Sequence, residues 1–291
     1  MHERFLDVGL PLCLCEWKPE RSPDGSDAPP ILILHGFLEQ GAAWSRVAEH
    51  LASTLGRTVV APDHRGHGRS GHIGPAQHYH FWDYVGDVQA IVDHLGGTVD
   101  LIGHSMGGTM ACLFAGSRPQ AVRALVLVEG LGPPDLASIA VRLGRQFLDS
   151  RRSLKPHPRM ADAHEAAARM RRFNPSLTPA DALRLAQRLV VPSGDQVTWG
   201  WDGRHRARNP YPFQEGLFLR FLEAIEAPTL LVDGEDSSYA KATPATRIEA
   251  IRPVAHHHLP HAGHLVHHDQ PDTLADVIRG FLERRTDGAR L

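Results

Sequence analysis

A serine between two glycines provides the clearest chemical signal in this 291-residue sequence. Ser105 is the middle residue of Gly-His-Ser-Met-Gly at positions 103–107, which follows a mainly apolar run at 99–102 and precedes a helical stretch at 108–117. In a sharp turn from strand to helix, the middle side chain projects clear of the sheet, and glycines on either side avoid steric clashes. The free N–H groups and positive dipole end of the helix favour a developing negative charge. The pattern therefore predicts that Ser105 is an exposed nucleophile.

The chain is rich in histidine, with 20 in total, including a run at positions 256–258 and a pair at 267–268. Neighbouring residues of a strand point to opposite faces, so two adjacent histidines there cannot share an ion. The sequence contains no His-Glu-x-x-His motif and no other set at the usual spacing of metal ligands. The three cysteines, at positions 13, 15 and 112, have the spacing of neither a zinc site nor a disulfide framework. We therefore predict no metal site.

Short apolar runs alternate with helical patterns along most of the chain. Short, mainly apolar runs predict strands buried on both faces of a parallel sheet at residues 31–34, 58–61, 99–102, 124–128 and 229–232. Residues 13–17 predict an early edge strand, and residues 254–259 predict the last strand. Apolar residues at helical spacing predict helices at residues 42–55, 81–95 and 273–284. This alternation predicts an α/β fold with a mostly parallel, doubly wound sheet.

The pattern changes between Pro133 and Glu215. Helical spacing predicts three helices here, at residues 136–148, 160–173 and 180–190, with no buried strand between them. We interpret residues 133–215 as an inserted helical cap, and residues 1–132 and 216–291 as one core domain. The cap leaves and rejoins the sheet at the carboxyl ends of strands, where ligands bind in open α/β sheets. We therefore expect the cap to cover the mouth of the active site and to influence which substrates enter.

The overall charge limits the kinds of partner. Lys and Arg total 31 and Asp and Glu total 33, which gives a formal net charge of −2. The chain thus lacks the basic excess that favours binding to nucleic acid or to an anionic membrane. No apolar stretch approaches the roughly 20 residues that span a bilayer, and the first residues do not resemble a signal peptide. We expect a cytoplasmic protein that binds a small-molecule substrate, and neither nucleic acid nor a membrane.

Four motifs, taken in this order, resemble those of the α/β-hydrolase superfamily, in the branch that carries a cap and uses no cofactor. They are His-Gly-Phe at 35–37, the stretch 63–70, the pentapeptide at 103–107, and Gly-His at 263–264. The segment from Trp201 through Asn209 and Pro210 to Leu222 is also similar to a serine-hydrolase-like subgroup. The resemblance implies an α/β-hydrolase fold and a reaction without a cofactor. The charged stretch 63–70 is more simply interpreted as a loop held by hydrogen bonds than as a catalytic segment.

The resemblance also implies roles for single residues. Ser105 would be the nucleophile, and His264, on the glycine-led loop after the last strand, would be the base that accepts its proton. The backbone N–H groups of Phe37 and Met106 would form the oxyanion hole. Both oxyanion donors belong to the main chain, so the identity of their side chains carries little information.

Two residues are candidates for the acid that orients His264. Many members of the family place this acid three residues after the glycine that follows the strand at 229–232, but Ser237 occupies that position here. Asp236 lies one residue early and fits only if the loop adjusts locally. Other members place the acid after the preceding strand, where Glu129 follows the apolar run 124–128. A buried carboxylate needs a partner such as His264, so we favour Glu129 and retain Asp236 as the alternative.

The expected activity is that of a serine hydrolase, which cleaves a carboxylic ester, lactone or thioester through an acyl-serine intermediate. C–C bond hydrolysis and perhydrolysis can use the same residues. A small-molecule receptor on the same fold is an alternative of another class, although a receptor has no need for both Ser105 and His264. Three aromatic residues near the end of the cap could either line a substrate pocket or pack the cap against the core; they are Trp199, Trp201 and Phe213.

Overall fold

The computed structural model describes residues 1–19, 28–74, 77–152, 154–207 and 213–286. The strands are β1 (His2–Asp7), β2 (Pro11–Trp17), β3 (Ile31–Leu34), β4 (Val59–Pro62), β5 (Val99–His104), β6 (Val122–Val128), β7 (Val190–Ser193), β8 (Gln196–Trp199), β9 (Thr229–Gly234) and β10 (Ala255–Leu259). The α-helices are α1 (Ser45–Leu55), α2 (Phe81–His94), α3 (Met106–Ser117), α4 (Ala140–Arg152), α5 (Ala163–Phe173), α6 (Pro179–Leu189), α7 (Glu215–Glu223), α8 (Ser238–Lys241), α9 (Ala245–Ile251), α10 (Val266–Asp269) and α11 (Pro271–Thr286). In these described ranges, every helix is too short or too polar to cross a bilayer.

Eight strands form one sheet in the order β1-β2-β4-β3-β5-β6-β9-β10. β2 pairs antiparallel with β1 and with β4, and all other neighbours in this sheet pair in parallel. Buried residues of α1 and α11 belong to one apolar cluster, and those of α2 and α3 belong to another. Helices thus cover both faces, and the prediction of a mostly parallel, doubly wound α/β sheet is confirmed. The central strands β3, β4 and β6 contain continuous apolar runs because both of their faces are buried.

The edge of the sheet differs from the prediction. The strand predicted at residues 13–17 is β2, which is not an edge strand, because β1 pairs with it along its whole length. β1 mixes charged residues with Phe5 and Leu6 and is only partly buried, so no apolar run marks it in the sequence. The helix α7 was also not predicted, although its apolar residues Phe218 and Leu222 are buried against the core.

The region predicted as the cap, between β6 and α7, contains the helices α4, α5 and α6. The strands β7 and β8 follow them as an antiparallel hairpin, which the sequence did not predict. Both strands are short and partly exposed, so they lack the apolar run by which the buried strands were found. The cap limits at residues 133 and 215 remain a prediction.

Arg188, at the end of α6, anchors this region to the core. Its guanidinium nitrogens lie 2.7 Å from Asp63 Oδ2 and 2.8 Å from Glu3 Oε1. The Asp63 carboxylate is fully buried, and it also accepts hydrogen bonds from the backbone N–H groups of Gly41 and Arg69, both at 2.8 Å. A buried ion pair with these additional hydrogen bonds fixes α6 relative to the sheet. Asp63 thus has the positioning role expected for the stretch 63–70.

Candidate active site

Ser105 lies in the tight turn between β5 and α3. Its backbone φ is 51° and its ψ is −116°, a conformation that residues with a side chain rarely adopt. A Cβ atom at Gly103 would lie 2.6 Å from the carbonyl oxygen of Gly107, and one at Gly107 would clash with the carbonyl oxygen of Leu34. Strand and helix therefore approach each other closely enough to require glycine at both positions. The turn holds Ser105 in a strained conformation at the start of the helix.

Ser105, His264 and Glu129 form a hydrogen-bonded series. Ser105 Oγ lies 3.0 Å from His264 Nε2, and His264 Nδ1 lies 3.1 Å from Glu129 Oε2. The Glu129 side chain is fully buried, whereas that of His264 is 35% exposed. When the Nδ1–H of a neutral His264 donates to Glu129, its Nε2 is free to accept the proton of the Ser105 hydroxyl. The arrangement can therefore move a proton from the serine to the histidine.

Glu129 follows β6 directly and has a positive φ of 50°. Besides its contact with His264, its carboxylate accepts a hydrogen bond from Gly234 N–H at 2.7 Å and another from Ser237 Oγ at 2.6 Å. These partners satisfy a carboxylate that has no access to water. Ser237 occupies the position where many members of the family carry the acid, and here its hydroxyl supports Glu129. The sequence analysis assigned no role to Ser237, although its place at the usual position of the acid was a signal that it belongs to the site.

Asp236, the alternative acid, is exposed to solvent. Its backbone N–H donates to the carbonyl oxygen of Ala262 at 3.0 Å. Among the residues that the structure describes, the Asp236 carboxylate forms no hydrogen bond with His264. The structure thus brings Glu129 to His264 and leaves Asp236 outside the series.

The two residues expected to form the oxyanion hole lie after neighbouring strands. β3 and β5 pair in parallel, so Phe37, which follows β3, and Met106, which follows β5, lie at the same edge of the sheet. Met106 is the first residue of α3, and its N–H therefore has no acceptor within the helix. The Phe37 side chain is 50% exposed. Both N–H groups thus lie at the edge where Ser105 is held.

An apolar cavity of about 570 Å³ lies beside α3, the helix that follows Ser105. Thr109, in its wall, is one turn beyond Ser105 on α3, which corresponds to about 6 Å along the helix axis. Leu143 of α4 forms part of the wall on the side of the predicted cap. The remaining wall comes mainly from α2, α7 and the segments next to them: His80, Phe81, Trp82, Leu113, Pro133, Leu136, Phe213, Gln214, Leu217, Phe218 and Phe221.

A model of the alpha/beta hydrolase fold matches residues 29–271. The chain belongs to the α/β-hydrolase family. It is 26% identical over 259 residues to the mouse sn-1-specific diacylglycerol lipase ABHD11, covering 87% of this chain and 81% of that protein. It is 24% identical over 278 residues to a zebrafish serine hydrolase-like protein, covering 89% and 82%. The solved thioesterase domain from the curacin biosynthetic pathway is 34% identical, with a TM-score of 0.84 over 96% of this chain and 99% of that chain.

Part of the segment that resembles the serine-hydrolase-like subgroup, including Asn209 and Pro210, lies outside the described residues. The three aromatic residues of the predicted cap in this α/β hydrolase have different surroundings. Phe213 lines the apolar cavity, whereas Trp199 packs against the apolar cluster of α1 and α11 on the other face of the sheet. The Trp201 carbonyl oxygen lies 2.8 Å from Nε2 of His157. The apolar cavity thus includes only Phe213 of these three residues.

A buried ion pair in this α/β hydrolase supports the loop that carries His264. His104 Nδ1 lies 2.9 Å from Glu39 Oε2, and His104 Nε2 lies 2.9 Å from the carbonyl oxygen of His264. A carboxylate and a carbonyl oxygen only accept hydrogen bonds, so both ring nitrogens must carry a proton. Burial opposes the charge on His104, but the negative charge of Glu39 and its hydrogen bond raise the pKa of His104 above its ordinary value. His104 is therefore an imidazolium that donates to the loop of His264.

Glu39 connects several parts of the site. Its carboxylate also accepts from Gly36 N–H at 2.7 Å and lies 3.0 Å from His267 Nε2. Burial would raise the pKa of Glu39, but the charges and hydrogen bonds of His267 and His104 hold it well below its usual range. Glu39 thus joins the loop after β3, the turn before Ser105 and the helix after His264. The sequence reasoning missed this group, because 65 positions separate Glu39 from His104 and no motif connects them.

Proposed function

We propose that this α/β hydrolase cleaves a carboxylic ester, lactone or thioester of a small molecule through an acyl intermediate on Ser105. The observation that carries the proposal is the hydrogen-bonded series from Ser105 Oγ through His264 to the buried Glu129, with distances of 3.0 and 3.1 Å. A diacylglycerol lipase and a thioesterase domain among the similar proteins support acyl transfer to water as the reaction.

In the first half of the reaction, His264 Nε2 takes the proton of the Ser105 hydroxyl while Oγ attacks the carbonyl carbon of the substrate. The negative charge that develops on the carbonyl oxygen is stabilised by the N–H groups of Phe37 and Met106. Glu129 stabilises the imidazolium of His264 and keeps its Nε2 directed at the serine. The imidazolium then gives its proton to the departing alcohol or thiol, and the acyl group remains on Ser105.

In the second half, water replaces the alcohol or thiol. His264 accepts a proton from this water as the water oxygen attacks the acyl carbon, and the same N–H groups stabilise the second oxyanion. The bond between Ser105 Oγ and the acyl carbon then breaks, and the proton returns from His264 to Oγ. The enzyme is thereby restored, and the product is a carboxylic acid.

The apolar cavity indicates the kind of acyl group. It begins one helical turn from Ser105, and its walls consist largely of aliphatic and aromatic side chains. Burial of apolar substrate surface in such a cavity contributes about 0.8 kcal/mol for each methylene group. We therefore propose that the cavity holds an apolar acyl chain, with Leu143 of the predicted cap closing one side. An ester series of increasing acyl length identifies the chain that fits.

Labelling with a fluorophosphonate probe tests whether Ser105 is an activated nucleophile. The wild-type protein should become labelled, and Ser105→Ala should not. Ser53→Ala is the matched control, because Ser53 is an exposed serine on α1, and this variant should label like the wild type. A folded wild-type protein that stays unlabelled would contradict the proposal and would favour a receptor that binds its ligand without turnover.

A further inference from the structure

Two neighbouring strands place three potential metal ligands on one face of the sheet. β9 and β10 pair in parallel, and their register sets Asp233 opposite His258. His256 lies two residues before His258, so its side chain points to the same face. His257 points to the opposite face. The prediction of no metal site considered adjacent histidines and ligand spacings along the chain, and it did not include this alternate pair with a carboxylate from the next strand.

The ligand atoms of Asp233, His256 and His258 already lie near each other. His256 Nε2 is 2.7 Å from Asp233 Oδ2, and the ring centroids of the two histidines are 4.3 Å apart. One ligand atom from each of the three residues lies within 4.8 Å of the other two. In a tetrahedral zinc site, metal–ligand bonds of about 2.1 Å put the ligand atoms roughly 3.4 Å apart. The ligand atoms therefore have to move by only about an ångström, through rotation of their side chains, to reach the spacing of a tetrahedral site.

The surroundings of this cluster allow that rotation. The His256 and Asp233 side chains are 24% and 17% exposed, and His258 is exposed. Solvent therefore reaches the cluster, so an ion can enter and keep water in the coordination positions that the protein leaves open. Asp233 is also the residue before Gly234, whose N–H donates to Glu129. The cluster is thus one residue away from a support of the active-site carboxylate.

We infer that Asp233, His256 and His258 bind a divalent transition-metal ion of the Zn²⁺ class. Two imidazoles and one carboxylate suit Zn²⁺ and its neighbours Ni²⁺ and Cu²⁺, whereas Mg²⁺ and Ca²⁺ take oxygen ligands. Binding replaces the hydrogen bond between His256 and Asp233 with bonds from both residues to the ion. It requires both imidazoles in the unprotonated form, so the affinity decreases in acid. This binding site lies beyond the proposed hydrolase reaction.

A second group of potential ligands, Glu39, His104 and His267, has a similar spacing but a different environment. Both ring nitrogens of His104 and both carboxylate oxygens of Glu39 already take part in hydrogen bonds. The His267 ring stacks on Trp44 with 4.4 Å between the ring centroids. An ion there would have to break the buried ion pair that holds the His264 loop. Of these two groups among the described residues, the exposed cluster on β9 and β10 is therefore the one that can take an ion without breaking that pair.

Calorimetric titration with ZnCl₂ at pH 7.5 tests this inference on protein freed of metal with a chelator. The wild type should bind one Zn²⁺ per chain. The double variant H256A/H258A should bind Zn²⁺ at least about 10-fold more weakly. His257→Ala is the matched control, because it removes the middle histidine of the same run but none of the three ligands. It should bind Zn²⁺ like the wild type, and titration with MgCl₂ should show no binding in any of these proteins.

Asp233→Asn tests the carboxylate while both histidines remain, and it should also weaken the binding of Zn²⁺. If thermal melting by circular dichroism shows that the double variant H256A/H258A does not fold, Asp233→Asn is used in its place. Equal affinity and stoichiometry in the wild type and in the variant would overturn the inference. An equal loss in His257→Ala would overturn it as well, because binding would then depend on the number of histidines rather than on their shared face.

Discussion

Ser105 and Glu129 have side chains and yet adopt positive φ angles, of 51° and 50°. Each residue comes directly after a buried strand, where the chain turns sharply at the carboxyl edge of the sheet. Such a conformation costs roughly 1–3 kcal/mol, so the surrounding contacts must offset it. Close packing at Gly103 and Gly107 does this for Ser105, and hydrogen bonds from Gly234 and other donors do it for Glu129. The fold itself therefore holds the hydrogen-bonded series of Ser105, His264 and Glu129 in place.

The choice of acid is tested by two single variants. Glu129→Gln should reduce kcat by about 10³ to 10⁴ fold, because it removes the charge that orients His264 and stabilises its imidazolium. Asp236→Asn should keep nearly the full kcat, since Asp236 is exposed and outside the series. Steady-state rates on one p-nitrophenyl ester compare the two variants. A large loss in Asp236→Asn together with near-normal turnover in Glu129→Gln would show that Asp236 is the acid.

The pair of Glu39 and His104 makes the free energy of unfolding depend on pH. The pKa of His104 is raised in the folded state. The stabilisation that its charge gives to the fold is therefore complete below its unfolded pKa, and it is lost as the pH rises through its folded pKa. The pKa of Glu39 is lowered, so its contribution is complete above its unfolded pKa and disappears as pH falls through the folded value. With ordinary values of about 4.3 and 6.5 for the two side chains, the pair stabilises the fold most between these pH values.

Glu39→Gln should therefore lower the free energy of unfolding by about 3 kcal/mol at pH 6, because it leaves His104 without its buried partner. The difference from the wild type should become smaller as the pH rises above about 6.5, where His104 starts to lose its proton in the unfolded state. Urea unfolding between pH 6 and 9 measures this difference. Glu49→Gln, at an exposed position of α1, serves as the control. A difference that stays constant over this range would contradict the assignment of an imidazolium.

At the scale of secondary-structure elements, the predicted cap contributes in two ways. α6 is anchored through Arg188 to Asp63 and Glu3 of the core. α4 instead supplies Leu143 to the wall of the apolar cavity, whose other walls include α3 and α7 of the core. A change in α4 can therefore alter the shape of the cavity without moving Ser105. We therefore propose that α4 influences the range of accepted substrates and that the turn of Ser105 carries the chemistry.

Two substitutions on α4 separate these roles. Leu143→Trp adds bulk to a buried side chain in the cavity wall and should lower kcat/KM for an octanoate ester at least about 10-fold relative to an acetate ester. Val141→Trp is the control on the same helix, since Val141 is 71% exposed, and it should leave this ratio unchanged. Equal ratios in the wild type and in Leu143→Trp would show that the acyl chain lies elsewhere.

At the scale of the whole molecule, the site comes from five strands that are adjacent in the sheet. In sheet order, β3 leads to the loop of Phe37, β5 to Ser105, β6 to Glu129, β9 to Ser237 and β10 to the loop of His264. All five run in parallel, so their carboxyl ends meet at one edge. The order of the strands therefore decides which residues meet.

The sequence predicted the parts of this arrangement that leave a local pattern. Buried strands such as β3 and β6 contain continuous apolar runs, and the turn of Ser105 is a short motif of glycines. Contacts over long separations leave no such pattern, as with His104 and Glu39 or with Ser237 and Glu129. Partly exposed elements, such as β1 and the hairpin of β7 and β8, were missed because they have no apolar run. The choice between Glu129 and Asp236 likewise required the relative positions of β6, β9 and β10.

Mass spectrometry of the enzyme quenched during turnover of a p-nitrophenyl ester tests the central claim most directly. The wild-type chain should gain the mass of one acyl group, the modified peptide should carry it on Ser105, and Ser105→Ala should gain none. The folded Ser105→Ala protein should also lose at least about 10³ fold in kcat, because the nucleophile and its base act as a unit. An acyl group on another residue, or near-normal turnover by folded Ser105→Ala, would contradict the account.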